Sequence, residues 1–90
     1  MTTRYTVVFS QLAKEKFDQF IRADRKLGEQ LAKAIDRLAA NPRLGEFLRG
    51  HWKGYRKYRT GHYRIVYRVE HQRLIIYIVT MGHRKDVYEA

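Results

Sequence analysis

The side chains best suited to chemistry in this sequence are basic residues that recur at even spacings in its second half. Lys57 and Arg59 are two residues apart, and Arg64 and Arg68 follow at a separation of four. Alternate side chains of an extended chain point to the same face. If both segments are strands, these four cations share one face, where ammonium and guanidinium groups can bind the oxygens of a phosphate.

The link between the two segments decides whether the cations meet. Gly61-His62 has glycine at the first position of a two-residue loop, which is typical of a type II′ turn. This turn places Arg59 directly opposite Arg64, although like charges in that arrangement cost up to about 1 kcal/mol. Folding requires no such pair, so we predict that an anion binds there. A three-residue loop would shift the register by one and separate the two arginines.

Aromatic rings and further cations surround this cluster in the sequence. Rings can stack on nucleic-acid bases, at roughly 1–3 kcal/mol each, although rings in strands more often belong to the core. A solvated basic face is the alternative interpretation. We predict that six of these residues bind substrate: Trp52, Lys53, Tyr55, Arg56, Arg68 and Lys85.

The C-terminal segment Gly82-His83-Arg84-Lys85-Asp86-Val87-Tyr88 combines three chemical functions. An imidazole can titrate near neutral pH, a guanidinium remains charged, and a phenol can donate or accept a proton. Such a set can move protons and stabilise negative charge. An ordinary polar tail is the alternative.

Hydrophobic periodicity indicates which elements position these residues. Tyr5–Phe9 is β-branched and aromatic, as is typical of a strand. Ser10 and Asp24 are predicted to cap two amphipathic helices, the second of which ends at Asn41-Pro42 because the residue before proline avoids helical angles. Three strands are then predicted, at Tyr55–Thr60, Tyr63–Glu70 and Arg73–Thr80.

This order predicts an α+β fold, β-α-α-β-β-β, in one domain spanning residues 1–90. Short links make the last three strands antiparallel neighbours, and we expect the helical hairpin to pack on one face of an antiparallel twisted sheet. The face opposite the cations is apolar enough to receive the helices, and the cationic face stays partly open. The apolar set is Tyr58, Tyr63, Ile65, Tyr67 and Val69.

Composition limits the possible partners. Lysine and arginine number 19 against 9 acidic residues, and residues 43–90 alone carry eleven basic and four acidic side chains. Such a field attracts nucleic acid, an anionic membrane or an acidic protein segment. The chain has no cysteine and no apolar run long enough for a membrane span, which favours a cytoplasmic protein. The four histidines lack zinc-like spacing, so we expect no metal and no cofactor.

Four sequence segments together resemble the RelE/ParE superfamily of toxins from type II toxin–antitoxin systems. They occur in the family's order and cover nearly the whole chain: Asn41-Pro42-Arg43-Leu44-Gly45, Leu48-Arg49-Gly50, Lys57-Tyr58-Arg59-Thr60-Gly61-His62-Tyr63-Arg64-Ile65-Val66-Tyr67, and Gly82-His83-Arg84-Lys85-Asp86-Val87-Tyr88.

The resemblance, taken to the RelE branch, implies a microbial RNase-like fold and a ribosome-dependent endoribonuclease that cuts mRNA in the ribosomal A site. It also implies an antitoxin, with an acidic or helical segment, that wraps and silences the toxin. The residues that match the family's functional positions are Lys57, Arg59, Arg64, Arg84 and Tyr88. His83 stands where some relatives carry a lysine and others a catalytic histidine.

One departure from the pattern affects the mechanism. Some RelE toxins carry two lysines where this chain has Lys57 and Arg59, and arginine does not deprotonate in proteins. Lys57, His83 or Tyr88 must therefore move the proton when the RNA's own 2′-hydroxyl attacks the phosphate. Two other functions remain open: a ParE-like inhibitor of DNA gyrase without nuclease activity, and an RNA-binding module without catalysis.

Overall fold

The computed structural model describes residues 3–83 and contains two helices on one face of a five-stranded sheet. This is the predicted α+β architecture. The elements in chain order are β1 (Thr6–Phe9), α1 (Gln11–Ala23), α2 (Arg25–Ala40), β2 (Glu46–Phe47), β3 (Arg56–Thr60), β4 (Tyr63–Glu70) and β5 (Ile75–His83), with short 3₁₀ turns at Pro42–Leu44 and Gly50–Trp52.

Both predicted helix caps are present. The Ser10 hydroxyl accepts a hydrogen bond from the backbone N–H of Ala13 at 3.0 Å and donates to the Val79 carbonyl at 2.6 Å. It therefore starts α1 and ties that helix to the sheet. The Asp24 carboxylate accepts from the N–H groups of Lys26 and Leu27, which satisfies two free donors of α2.

The sheet has the order β1-β5-β4-β3-β2 and is mixed. Strands β3, β4 and β5 are antiparallel neighbours, as their short links predicted. The expectation of a wholly antiparallel sheet was wrong for β1, which lies parallel to β5. β1 and β5 are far apart in the sequence, so no short link requires them to be antiparallel.

Two other details differ from the prediction. The two-residue strand β2 was not predicted, because so short a segment has no detectable alternation. Strand β5 begins at Ile75 and continues through His83, so Gly82 and His83 belong to the strand instead of following it. A four-residue turn precedes β5, and its last residue, Leu74, has a positive φ of 55°.

The core lies between the helices and the predicted apolar face of the sheet. Ile65 and Tyr67 have no exposed surface, and Tyr58, Tyr63 and Val69 are partly buried beside them, which confirms that face. The other fully or almost fully buried members of the core are Ala13, Leu31, Ala34, Ile35, Leu38, Ile76, Ile78 and Met81.

The hydroxyl of Tyr67 crosses this core to the loop after α2. It accepts a hydrogen bond from the Gly45 N–H at 2.9 Å and donates one to the Pro42 carbonyl at 2.7 Å. Burial raises the pKa of this phenol above 10.0, so it stays neutral at physiological pH. Tyr67 therefore fixes the backbone that leads into β2.

Gly45 fits this contact because it has no side chain. A Cβ there would lie 2.5 Å from the Tyr67 hydroxyl oxygen and 2.7 Å from the Lys57 carbonyl oxygen, closer than either atom allows. The close approach brings β2 against β3.

In the part of the chain that the structure describes, neither helix has the length and apolar character needed to cross a lipid bilayer.

Replacing Tyr67 with phenylalanine should destabilise the fold by about 1–3 kcal/mol, because the Gly45 N–H and the Pro42 carbonyl lose their buried partner. Urea unfolding measures the change. The control is Tyr77→Phe, since the half-buried Tyr77 hydroxyl makes no hydrogen bond with the residues described. Equal stability of the two variants would contradict the role assigned to the Tyr67 hydroxyl.

Candidate functional site

The β3–β4 hairpin has the predicted two-residue turn and register. Arg59 lies directly opposite Arg64. Gly61 has a φ of +62°, whereas His62 is not in the left-handed region, as a type II′ turn requires. The α-carbons of such a pair are about 4.5–5.5 Å apart. The two guanidinium groups therefore leave the sheet from neighbouring positions.

Lys57 is on the same face, two residues before Arg59 and opposite Val66. Lys57 and Arg64 are half-buried, whereas Arg59 is exposed. We call Lys57, Arg59 and Arg64 the sheet cluster. Val66, which pairs with Lys57, has no exposed surface, and Thr80, which pairs with Val66 on β5, is 6% exposed. The middle of this face is therefore less open than we expected.

Arg68 shares this face but not this location. It is four residues from Arg64, which is about 13 Å along a strand. Its guanidinium contacts the Glu70 carboxylate at 3.4 Å and lies 5.3 Å from the centre of the Tyr77 ring. The structure therefore keeps Arg68 apart from the sheet cluster.

Glu46 joins the sheet cluster, and the sequence pattern did not predict it. In β2 it pairs with Lys57, and it lines a hollow of about 280 Å³ together with Lys57, Arg59, Leu44 and Tyr58. Its position follows from the two residues that flank it, since Gly45 is bound to Tyr67 and Phe47 contacts Arg56. The hollow thus has a carboxylate that can accept a proton beside two cations that can bind an anion.

Arg56 holds this edge of the sheet in place. Its Nη1 donates to the Gly45 carbonyl at 2.7 Å, and its guanidinium lies 3.8 Å from the centre of the Phe47 ring. It pairs with Tyr67 and alternates with Lys57, so it projects to the helix side. The structure does not bring Arg56 together with the sheet cluster.

His83 is at the end of β5, opposite Tyr63, while Gly82 lies opposite Arg64. By this register His83 is on the helix side of the sheet. Its ring stacks on His62 at 6.2 Å and meets Tyr63 edge-on at 5.6 Å. His62 in turn lines a small hollow with Arg59 and Arg64. The imidazoles therefore border the sheet cluster at the hairpin end.

Three of the predicted substrate-binding residues lie in the loop between β2 and β3. Trp52 and Tyr55 are half-buried and meet edge-to-face at 5.6 Å, and Lys53 is exposed. Tyr55 precedes Arg59 by four residues, again about 13 Å along an extended chain. The structure places this group at the far end of β3 from the Arg59–Arg64 pair.

Arg84, Lys85 and Tyr88 lie outside the described residues. Within residues 3–83, no group of three or more histidine, aspartate or glutamate side chains is arranged to hold a metal ion.

Comparison with known proteins identifies the family. Residues 7–88 match the family described as ParE toxin of type II toxin-antitoxin system, parDE. No curated protein matches the chain.

Solved structures share the fold over nearly the whole chain. The toxin–antitoxin complex RelBE2 from Mycobacterium tuberculosis contains a chain that is 29% identical, with a TM-score of 0.79, and the match covers 96% of this chain and 98% of that one. The YoeB dimer from Staphylococcus aureus is 25% identical, with a TM-score of 0.75 and coverage of 90% and 98%.

The isolated RelE toxin of Escherichia coli has a TM-score of 0.74 at 23% identity, with coverage of 88% and 83%, and supports the fold alone. Because the family match spans nearly all of the sequence, the chain belongs to the ParE toxin family of type II toxin–antitoxin systems, within the RelE/ParE/YoeB superfamily.

Proposed function

We propose that this toxin is an endoribonuclease that cuts mRNA in the ribosomal A site and so inhibits translation. One observation carries the proposal: Arg59 and Arg64 face each other across the hairpin, with Lys57 beside them. Two like charges directly opposite each other in a strand pair repel each other. A phosphodiester held between them would remove the repulsion, and the guanidinium groups of both arginines could donate hydrogen bonds to its oxygens.

The proposed reaction needs no nucleophile from the protein. The 2′-oxygen of the RNA loses its proton and bonds to the adjacent phosphorus, and the bond from phosphorus to the 5′-oxygen breaks. The leaving oxygen takes up a proton, which gives a 2′,3′-cyclic phosphate and a 5′-hydroxyl. The protein orients the reacting atoms, moves two protons and stabilises the charged phosphorane.

The sheet cluster supports a division of these tasks. Arg59 and Arg64 bind the scissile phosphate and its transition state. Lys57 lowers the pKa of the 2′-hydroxyl by its charge, or carries the proton. Glu46 is a further candidate for the base, because its carboxylate shares the hollow with Lys57 and Arg59.

The remaining roles follow the resemblance. We assign the leaving group to Arg84, and the acid or base to His83 or Tyr88. The pattern of cations and rings in the sequence assigns further substrate contacts outside the reacting centre: Lys53, Arg68 and Lys85 to phosphates, and Trp52 and Tyr55 to stacked bases. Arg56 instead supports β2 through Gly45 and Phe47.

An antitoxin is the expected partner. The similar chains from M. tuberculosis and S. aureus occur in structures of toxin–antitoxin complexes. This chain carries a net charge of +10. An acidic or helical antitoxin segment that covers the sheet cluster would block access of RNA. We place the toxin in the cytoplasm, where ribosomes and their mRNA are found.

A second candidate function is supported by the family match itself. The matching family is that of ParE toxins, and the ParE-like alternative is inhibition of DNA gyrase without nuclease activity. Purified toxin added to a gyrase supercoiling assay and to translating ribosomes separates the two functions. Inhibition of gyrase with intact mRNA would replace the nuclease proposal.

Arg59→Ala and Arg64→Ala should each slow single-turnover cleavage on mRNA-programmed ribosomes by at least about tenfold, since each removes charge stabilisation from the phosphorane. Arg22→Ala removes the same charge from the exposed end of α1 and should cleave as the wild type does. Wild-type rates in both sheet variants would refute the assignment.

Glu46→Gln tests the proposed base. Loss of a well-placed general base costs about 10²–10⁴ in rate, so Glu46→Gln should slow single-turnover cleavage by at least about a hundredfold. Glu15→Gln, on the exposed side of α1, is the matched control. An unchanged cleavage rate in Glu46→Gln would assign the proton transfer to another group.

Anion binding by the sheet cluster can be tested without RNA. Inorganic phosphate should raise the unfolding temperature of the wild type, because it binds the folded state only. Arg59→Ala should lose most of this increase, whereas Arg22→Ala should keep it. Equal increases in all three proteins would place the bound phosphate elsewhere.

A further inference from the structure

A second cationic surface lies on α2, away from the sheet cluster. Lys26, Gln30, Lys33 and Arg37 are spaced at four, three and four residues, so they form one line along the helix. We call these four residues the α2 ridge. Its three cations are exposed, whereas the opposite side of α2 is buried in the core. The cationic line spans about 16 Å at 1.5 Å per residue.

The acidic residues on this helix are paired with other cations. Glu29 contacts Arg25 at 3.5 Å, and Asp36 is bound by Arg4. Among residues 3–83, the cations of the ridge make no salt bridge. Within the described part of the chain, the three charges of the ridge therefore serve no ion pair and remain available to a ligand.

The ridge is joined to the hairpin that carries the sheet cluster. The Gln30 side-chain amide donates to the carbonyl oxygen of Thr60 at 2.8 Å and to its hydroxyl at 3.3 Å. A hollow of about 240 Å³ lies between them, lined by Lys26, Glu29, Gln30, Lys33, Arg37 and Thr60. Thr60 directly follows Arg59, so the contact from Gln30 connects the ridge to the strand that carries the sheet cluster.

The chemistry of the ridge favours a nucleic-acid duplex. Helix α2 has no aromatic ring on which unpaired bases could stack, and the ridge has no apolar side chain to bind the apolar face of a peptide helix. Exposed cations in a line can bind successive phosphates, and a duplex presents several phosphates of one strand over about 16 Å.

We propose that the α2 ridge binds the sugar–phosphate backbone of double-helical RNA, while the sheet cluster holds the single strand to be cut. Its use in the cell rests on the proposed function, because structured RNA surrounds the mRNA on the ribosome. The ridge would then orient the toxin by contacts that carry no sequence information.

The test is binding of a fluorescent RNA duplex of about 16 base pairs, with its 2′-hydroxyls methylated so that cleavage is impossible. The variant K26A/K33A/R37A should bind roughly tenfold or more weakly than the wild type. The slope of log affinity against log salt concentration should fall by about 3, because three side chains no longer neutralise a phosphate. Binding of a short single strand should change much less.

The control K14A/K16A/R22A removes three charges from α1 and should keep duplex affinity near the wild-type value. A ridge variant that binds the duplex like the wild type, or a control that is weakened as much, would overturn the proposal. The assay involves no cleavage, so wild-type toxin that fails to cut mRNA on ribosomes would refute the proposed function and leave the duplex result intact.

Discussion

The two-residue turn at Gly61-His62 is the constraint on which the rest of the structure depends. A positive φ at Gly61 closes the hairpin in one register. A shift of one residue would exchange the faces of β4, bury Arg64 among the helices and expose Ile65. The same turn therefore selects both the apolar surface that the helices cover and the cationic surface opposite. The register of this hairpin therefore fixes the composition of the core and of the candidate site together.

A second constraint connects the core to the edge of the sheet. The buried hydroxyl of Tyr67 reaches through the helix side to Gly45, and Arg56 binds the same residue from β3. Together these contacts hold a strand of two residues, which could not persist alone. Alternation within that strand then turns Phe47 toward Arg56 and Glu46 toward Lys57. A neutral phenol in the core thus determines where a carboxylate lies on the opposite face.

The charge distribution explains why partners are expected. Some acidic residues pair with nearby cations, as in Arg25 with Glu29 and Arg68 with Glu70, and the chain keeps a large cationic excess. Two groups of these cations are the sheet cluster and the α2 ridge, which meet at the end of the β3–β4 hairpin. A toxin with this surface attracts polyanions strongly, and an antitoxin of opposite charge can neutralise it. Binding of RNA by the toxin and inhibition of the toxin by an antitoxin would then depend on the same positive electrostatic field.

Local signals in the sequence determined the helix caps at Ser10 and Asp24, the hairpin register and the two faces of β3 and β4, because each depends on neighbours a few residues away. Only the tertiary structure decided that β1 is parallel to β5, that Glu46 meets Lys57, and that Arg56 supports β2. Those arrangements depend on contacts between distant segments, such as the hydrogen bond from Gly45 to Tyr67. Residue types and spacing predict which side chains share an element, whereas the packing of elements decides which side chains share a site.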